Sequence, residues 1–141
     1  MFQTLAYYAT VFHRSFAAYT STRLQALGLS YGLLFPVIYV GKHPACTQAE
    51  LTAALGMDWG YSQRIVTKLV AEGFLTREKV GRAYHLNLSE QGQDAFAVSH
   101  QVFSEWDQQA MAVLDQSERT QLLSLLAKVV PDGTQSTYLS L

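Results

Sequence analysis

The part of the sequence with the most evident chemistry runs from Arg64 to Arg82. It carries five basic residues against two acidic ones, a local charge of +3 on a chain whose formal net charge is −1. Arg and Gln side chains can pair with the edges of guanine and adenine, while Thr and Lys suit phosphate contacts. We expect this segment to form one face that binds a polyanion such as DNA; a solvated surface is the alternative that charge alone leaves open.

The candidate contacts are spread over a helix, a turn and the start of a preceding helix. A helix that begins at Asp58 would bury Ile65, Val66 and Leu69 and turn its polar side outward. Base readout is expected from Tyr61, Gln63, Arg64 and Arg82. Phosphate contact is expected from Thr47, Gln48, Thr67 and Lys68, with Thr47 and Gln48 opening a helix whose free amides favour an anion. Lys79 and Arg82 are expected to enter the minor groove or to lie along the backbone.

Two short helices must position these side chains. Thr47 and Glu50 have the spacing of a capping box, which begins a helix that ends near Leu55. Asp58 is a natural N-cap for a second helix of about 59–72, which Gly73 ends. Two short helices joined by a turn that contains Gly are typical of a helix-turn-helix, whose second helix enters the major groove.

A β-hairpin and longer helices surround this unit. Residues 74–79 and 83–88 are compatible with strands, and Val80-Gly81 permits the turn between them, so that Lys79, Gly81 and Arg82 lie at the tip. Ser30 is expected to cap the second helix of the chain and Gly41 to end it, with Pro36 kinking it or beginning a new turn. The flanking helices are predicted at about 2–27, 31–40, 90–114 and 118–130. The predicted fold is therefore mainly α with a small β-hairpin.

The motifs of residues 47–92 resemble the MarR family of bacterial winged-helix regulators. The matching stretches are Thr47-Gln48-Ala49-Glu50-Leu51, Leu55-Gly56-Met57-Asp58, residues 69–77 and Leu86-Asn87-Leu88-Ser89-Glu90-Gln91-Gly92. The last stretch is similar to a family motif, with Ser89 in place of Thr. The resemblance implies a winged helix-turn-helix at 45–89, with dimerisation helices at 1–44 and 90–141, all within one domain.

The same resemblance implies a homodimer that binds a palindromic site in double-stranded DNA and represses transcription. It also implies that Arg82 is the wing arginine, although Lys79-Val80-Gly81 stands where the family usually has an Asp. The residues give a physical reason for pairing, because the apolar faces of the terminal helices exceed what a small winged helix can cover. Leu139 and Leu141 add to this apolar surface, and two-fold association would bury it.

Aromatic residues crowd the first 40 positions, and the resemblance implies that a small apolar or aromatic effector binds there. Aromatic walls with a few polar tips suit such a ligand. The residues expected to line the effector pocket are His13, Phe16, Tyr31, Phe35 and Tyr39. A plain role for these rings in the core and the dimer interface is the alternative.

Other functions find little support in the sequence. The four His residues show no metal-ligand spacing, no cofactor is implied, and no phosphate loop or nucleophile motif indicates an enzyme. The single Cys46 is expected to be inert, and the absence of a signal peptide or an apolar run of about 18 residues favours a cytoplasmic protein. The alternative function is a winged-helix dimer that binds proteins or small molecules without specific DNA readout. The salt dependence of DNA binding would distinguish this alternative from a DNA-binding regulator.

Overall fold

The computed structural model describes residues 3–130, and within them six α-helices and a small antiparallel sheet follow in the predicted order. The helices are α1 (Leu5–Gln25), α2 (Leu34–Lys42), α3 (Gln48–Ala54), α4 (Trp59–Ala71), α5 (Glu90–Ala110) and α6 (Gln116–Val129). The strands are β1 (Cys46–Thr47), β2 (Leu75–Val80) and β3 (Ala83–Leu88). This confirms a mainly α fold with a β-hairpin. Leu139 and Leu141 lie outside the described residues.

The caps that the sequence predicts at Thr47 and Asp58 are formed, and Ser89 caps a third helix. The Thr47 hydroxyl accepts from the Glu50 amide at 3.1 Å while the Glu50 carboxylate accepts from the Thr47 amide at 3.0 Å, a complete capping box. Asp58 accepts from the Tyr61 amide at 2.8 Å, and Ser89 accepts from the amide of residue 92 at 3.0 Å. Each cap satisfies a donor that the first turn of a helix leaves unpaired.

The second helix differs from its prediction. Ser30 makes no side-chain capping bond, and a 3₁₀ turn at Tyr31–Leu33 precedes α2. Pro36 lies in the first turn of α2, where a residue without an amide N–H leaves no intrahelical bond unmade. The helix also runs past Gly41 to Lys42. Pro36 therefore marks a new helical start, which is one of the two outcomes expected of it.

The sheet has the strand order β1-β3-β2, and its shortest strand was not predicted. β1 pairs with β3 through Cys46 opposite Leu86 and Thr47 opposite His85. β2 and β3 form the predicted hairpin, called the wing below, but the two-residue turn that connects them is Gly81 and Arg82 and not the predicted Val80 and Gly81, because Val80 still pairs with Ala83. Gly81 has a φ of +63°, which a first turn residue of this kind of hairpin requires.

The core joins α2, the helix-turn-helix, the base of the wing and α5. Its largest fully buried side chains include Leu34, Ile38, Leu51, Leu69, Phe74 and Leu86. The wing face that bears Leu75 and Leu86 packs into this cluster beside Ile65, Val66 and Leu69 of α4. The orientation of the wing relative to α4 is therefore fixed by burial of apolar surface.

The two ends of the described chain leave apolar side chains uncovered. On α1 these are Leu5, Tyr7, Tyr8, Val11 and Phe12; on α6 they are Leu123, Leu125 and Val129. None of the helices within residues 3–130 is long and apolar enough to cross a membrane. The exposed apolar surface is therefore concentrated on the helices that the sequence assigns to dimerisation.

Candidate nucleic-acid interface

The second helix of the helix-turn-helix, α4, presents its polar side to solvent as predicted. Ile65, Val66 and Leu69 are buried in the core, and none of them is more than 6% exposed. The predicted contact residues on α4 are all exposed: Tyr61, Gln63, Arg64, Thr67 and Lys68. One side of α4 thus anchors the helix while the other carries donors and acceptors for a partner.

A buried hydrogen bond holds α4 against α3. The hydroxyls of Thr52 and Ser62 lie 2.6 Å apart, and Thr52 also donates to the backbone carbonyl of Gln48 at 2.7 Å. Both hydroxyls are buried, so leaving either unpaired would carry a desolvation cost. This bond fixes the two helices of the unit at the point where they cross.

Intramolecular contacts restrain the cations of α4 only weakly. The guanidinium carbon of Arg64 lies 5.8 Å from the centroid of the Tyr61 ring. The ammonium of Lys68 lies 3.9 Å from the Glu72 carboxylate, and the two side chains are 58% and 40% exposed. Since an exposed ion pair contributes little, Lys68 can exchange this partner for a phosphate.

The structure argues against a side-chain phosphate contact from Gln48 at the start of α3. The Thr47 hydroxyl accepts a hydrogen bond within the capping box, but its own proton can still be donated to a phosphate. The Gln48 side chain is only 2% exposed and has no hydrogen-bond partner among the described residues. We therefore leave Gln48 out of the interface, and Thr47 stays a predicted phosphate contact. Sequence reasoning treated the helix start as open because it could not show which side of the helix faces the core.

The wing brings the predicted Lys79 and Arg82 to its exposed end, together with a residue that the sequence did not single out. Tyr84 lies directly opposite Lys79 and is 41% exposed. The ring centroid of Tyr84 lies 5.1 Å from the Arg77 guanidinium carbon and 5.9 Å from the Lys79 ammonium. The sequence did contain a signal for Tyr84, since it is an aromatic residue in a strand that lies opposite two cations. Which residues it faces depends on the register of the hairpin.

Four of the five residues predicted to line an effector pocket form one cluster of rings. The Tyr31 ring lies 6.0 Å from His13, 6.1 Å from Phe16 and 5.8 Å from Phe35, between ring centroids. Burial raises the pKa of the Tyr31 phenol. The cluster joins α1 to the start of α2.

Tyr39, the fifth residue of that set, lies one turn further along α2 and is buried. Its ring packs against His43, with 4.4 Å between centroids. Burial first, and then the Cys46 thiol and the Glu50 carboxylate, raise the pKa of the Tyr39 phenol. Tyr39 therefore lies near the segment that holds these two groups. The described contacts of Tyr39 therefore place it outside the ring cluster.

A cavity of about 220 Å³ lies between the start of α2 and the helix-turn-helix. It is lined by Gly32, Phe35, Pro36, Leu55, Met57, Tyr61 and Ile65. Phe35 belongs to the aromatic cluster, whereas Tyr61 belongs to the outward side of α4. The cavity thus connects the two sets of residues that the sequence assigned separately to an effector and to DNA.

Cys46 is buried, and we expect its thiol to react slowly. Burial first and the nearby Glu50 carboxylate second raise the thiol pKa to about 11. Only about one thiol in a thousand is then ionised at pH 8, and the thiolate is the reactive form.

At pH 8, labelling of Cys46 in the native protein with a thiol reagent should be more than about 100-fold slower than labelling of a small free thiol. The native rate should rise continuously with pH toward 11, whereas an ordinary thiol levels off near 9; fast labelling at pH 7 would contradict this.

Comparisons with known proteins agree on the kind of protein. The sequence is 43% identical over 132 residues to the HTH-type transcriptional regulator BilQ of Clostridium symbiosum (strain WAL-14163), covering 92% of each chain. It is 23% identical over 130 residues to the regulator of the same name from Clostridioides difficile (strain CD3), covering 89% of this chain and 86% of the relative. No protein-family model matches the chain.

Solved structures share the fold at lower sequence identity. The reduced form of MarR from E. coli superposes with a TM-score of 0.81 at 21% identity, covering 93% of this chain and 99% of that one. A mutant MarR from E. coli complexed with operator DNA superposes with a TM-score of 0.76 at 21% identity, covering 90% and 94%. The arrangement of helices and wing described above is therefore that of these regulators.

Proposed function

Since this chain belongs to the MarR family of winged-helix transcriptional regulators, we propose that it is a homodimeric repressor that binds a palindromic site in double-stranded DNA. A small apolar or aromatic effector would release it from that site. As a member of this family the chain is a regulator rather than an enzyme. The observation that carries the proposal is the exposed polar side of α4 beside a basic wing, with the opposite side of α4 anchored in the core.

The residues of this surface divide by the chemistry of their side chains. Arg64 can donate two hydrogen bonds to guanine, and Gln63 can pair with adenine, so these two and Tyr61 are assigned to base readout in the major groove. Thr67 and Lys68 are assigned to the phosphates that flank it. At the tip of the wing, Arg82 is assigned to the minor groove or the adjacent backbone.

A second copy of the chain would cover the apolar surfaces of α1 and α6. These helices and α5 enclose a groove of about 220 Å³ whose lining includes Phe12, Trp106, Leu122 and Leu126. Two-fold pairing through this region makes the same surface on both protomers self-complementary. It would also place two copies of α4 about one turn of DNA apart, as a palindromic site requires.

We expect Arg64→Ala to weaken binding to the preferred duplex by about 5- to 150-fold, because a paired contact with a base contributes about 1–3 kcal/mol. The measurement is a binding titration with the duplex selected from a random pool and with an unrelated duplex of equal length. Lys42→Ala is the matched control, since it removes one positive charge from the end of α2, outside α4, the wing and the terminal helices. Equal binding of the Arg64→Ala and wild-type proteins to the selected duplex would refute the assignment of Arg64.

The effector part of the proposal is supported by the cavity that touches both the ring cluster and α4. A ligand that contacts Phe35 and Tyr61 would bear directly on a residue assigned to DNA. Such a ligand shifts the equilibrium only as far as its affinity differs between the free and DNA-bound forms. Aromatic acids and related small molecules should be titrated against the protein–DNA complex. A panel in which no compound binds the protein or releases DNA would argue against this part alone.

A further inference from the structure

The wing carries an ordered basic strip on one face, separate from the arginine in its turn. Arg77 and Lys79 are two positions apart on β2 and therefore point to the same face. Glu78, the acid between them, points to the other face together with His85, which lies opposite it. The alternation of the strand thus separates the two cations from the only carboxylate of β2.

This basic face is continuous with the side of the wing that packs beside α4. Leu75 and Leu86 belong to the same face as Arg77, and both are buried in the core cluster that contains the inner side of α4. Moving outward along the hairpin, the face passes from these buried residues to Arg77, Lys79 and Tyr84. The cations are therefore presented on the α4 side of the wing.

The Tyr84 ring lies near both cations. Its centroid is within 6 Å of the Arg77 guanidinium and the Lys79 ammonium, and the negative face of an aromatic ring attracts such groups. Two neighbouring cations on an exposed strand would otherwise repel each other and sample many rotamers. A ring shared by both restricts that motion before any partner arrives, which lowers the entropy lost on binding.

From this geometry we infer that Tyr84 is a positioning residue for DNA binding, which holds Arg77 and Lys79 as a paired contact for the phosphate backbone. The inference rests on the proposed function, because it requires a DNA partner. It assigns the phosphate contact of the wing to the strip formed by Arg77, Lys79 and Tyr84, below the tip that carries Arg82. Tyr84 acts through its ring and not through its hydroxyl.

The test compares Tyr84→Val with Tyr84→Phe in titrations of the duplex selected from a random pool. Valine keeps a side chain suited to a strand but removes the ring, and phenylalanine keeps the ring. We expect Tyr84→Val to weaken binding about 3- to 30-fold, as two side chains must then be ordered on binding. Tyr84→Phe should bind within about twofold of the wild type. A loss in Tyr84→Phe equal to that in Tyr84→Val would overturn the role of the ring.

A second arm separates positioning from a general effect on folding. In a background of Arg77→Ala and Lys79→Ala, Tyr84→Val should cause no further loss of affinity, whereas a merely structural role would add its loss again. In this background, the slope of log affinity against log salt concentration should become shallower by about one for each cation removed. In Tyr84→Val alone, this slope should stay unchanged. If the wild type shows no salt-dependent DNA binding, the proposed function fails; if it binds and Tyr84→Val binds equally well, only this inference fails.

Discussion

Gly92→Ala is expected to destabilise the folded protein by about 3 kcal/mol, because no side chain fits at this position. A Cβ on Gly92 would lie 2.0 Å from the backbone carbonyl oxygen of Phe74. That oxygen also accepts a hydrogen bond from the Ser89 amide at 3.0 Å, so it cannot move away without breaking this bond. The first turn of α5 rests here on the chain segment that leaves α4.

The measurement for this prediction is urea unfolding at a fixed protein concentration, since dimerisation would make stability concentration-dependent. Gly32→Ala is the matched control, because a Cβ there meets nothing within 4 Å and its φ lies outside the left-handed region. We expect this control to change the free energy of unfolding by less than about 0.5 kcal/mol. A Gly92→Ala protein within 1 kcal/mol of the wild type, roughly the cost of an ordinary substitution, would show that α5 can shift.

Leu125→Glu is expected to weaken self-association by about 100-fold or more and to reduce DNA affinity with it. Leu125 is 51% exposed on α6, beside Val129, which is 54% exposed. Burying an unpaired carboxylate in an apolar interface costs several kcal/mol, whereas the same group is well solvated in a free protomer. A protomer without its partner engages one half-site and loses the gain from binding two.

Sedimentation over a range of concentrations, followed by DNA titration, measures both effects of this substitution. Ser124→Glu is the control, because it adds the same charge at the adjacent exposed position of α6, which is already polar. The control should remain a dimer. A Leu125→Glu protein that sediments as the wild type does would place the dimer interface elsewhere on the chain.

The helix-turn-helix could be predicted from sequence because its signals are local. The cap at Asp58, the capping box of Thr47 and Glu50, and the spacing of Ile65, Val66 and Leu69 each depend on residues within one or two turns. They fix where α4 begins and which side it buries. The exposure of Arg64 and its neighbours then follows from helical geometry alone.

The features that sequence reasoning missed depend on contacts between distant segments. β1 is two residues long and exists only because β3 lies beside it. Gln48 is polar and opens a helix, yet the tertiary fold buries it. The role of Tyr84 depends on hairpin register, and the constraint on Gly92 depends on where the carbonyl of Phe74 points. None of these can be derived from periodicity within one element.

In the proposed complex, α4 and the wing of two protomers read one stretch of DNA. Selection of bound duplexes from a random pool, followed by titration of the enriched duplex at several salt concentrations, tests it most directly. We expect an enriched palindrome with half-site centres about 10 base pairs apart, and an affinity that falls steeply as salt rises from about 50 to 200 mM. A pool with no enriched sequence, or an affinity that does not change with salt, would contradict this mode of binding.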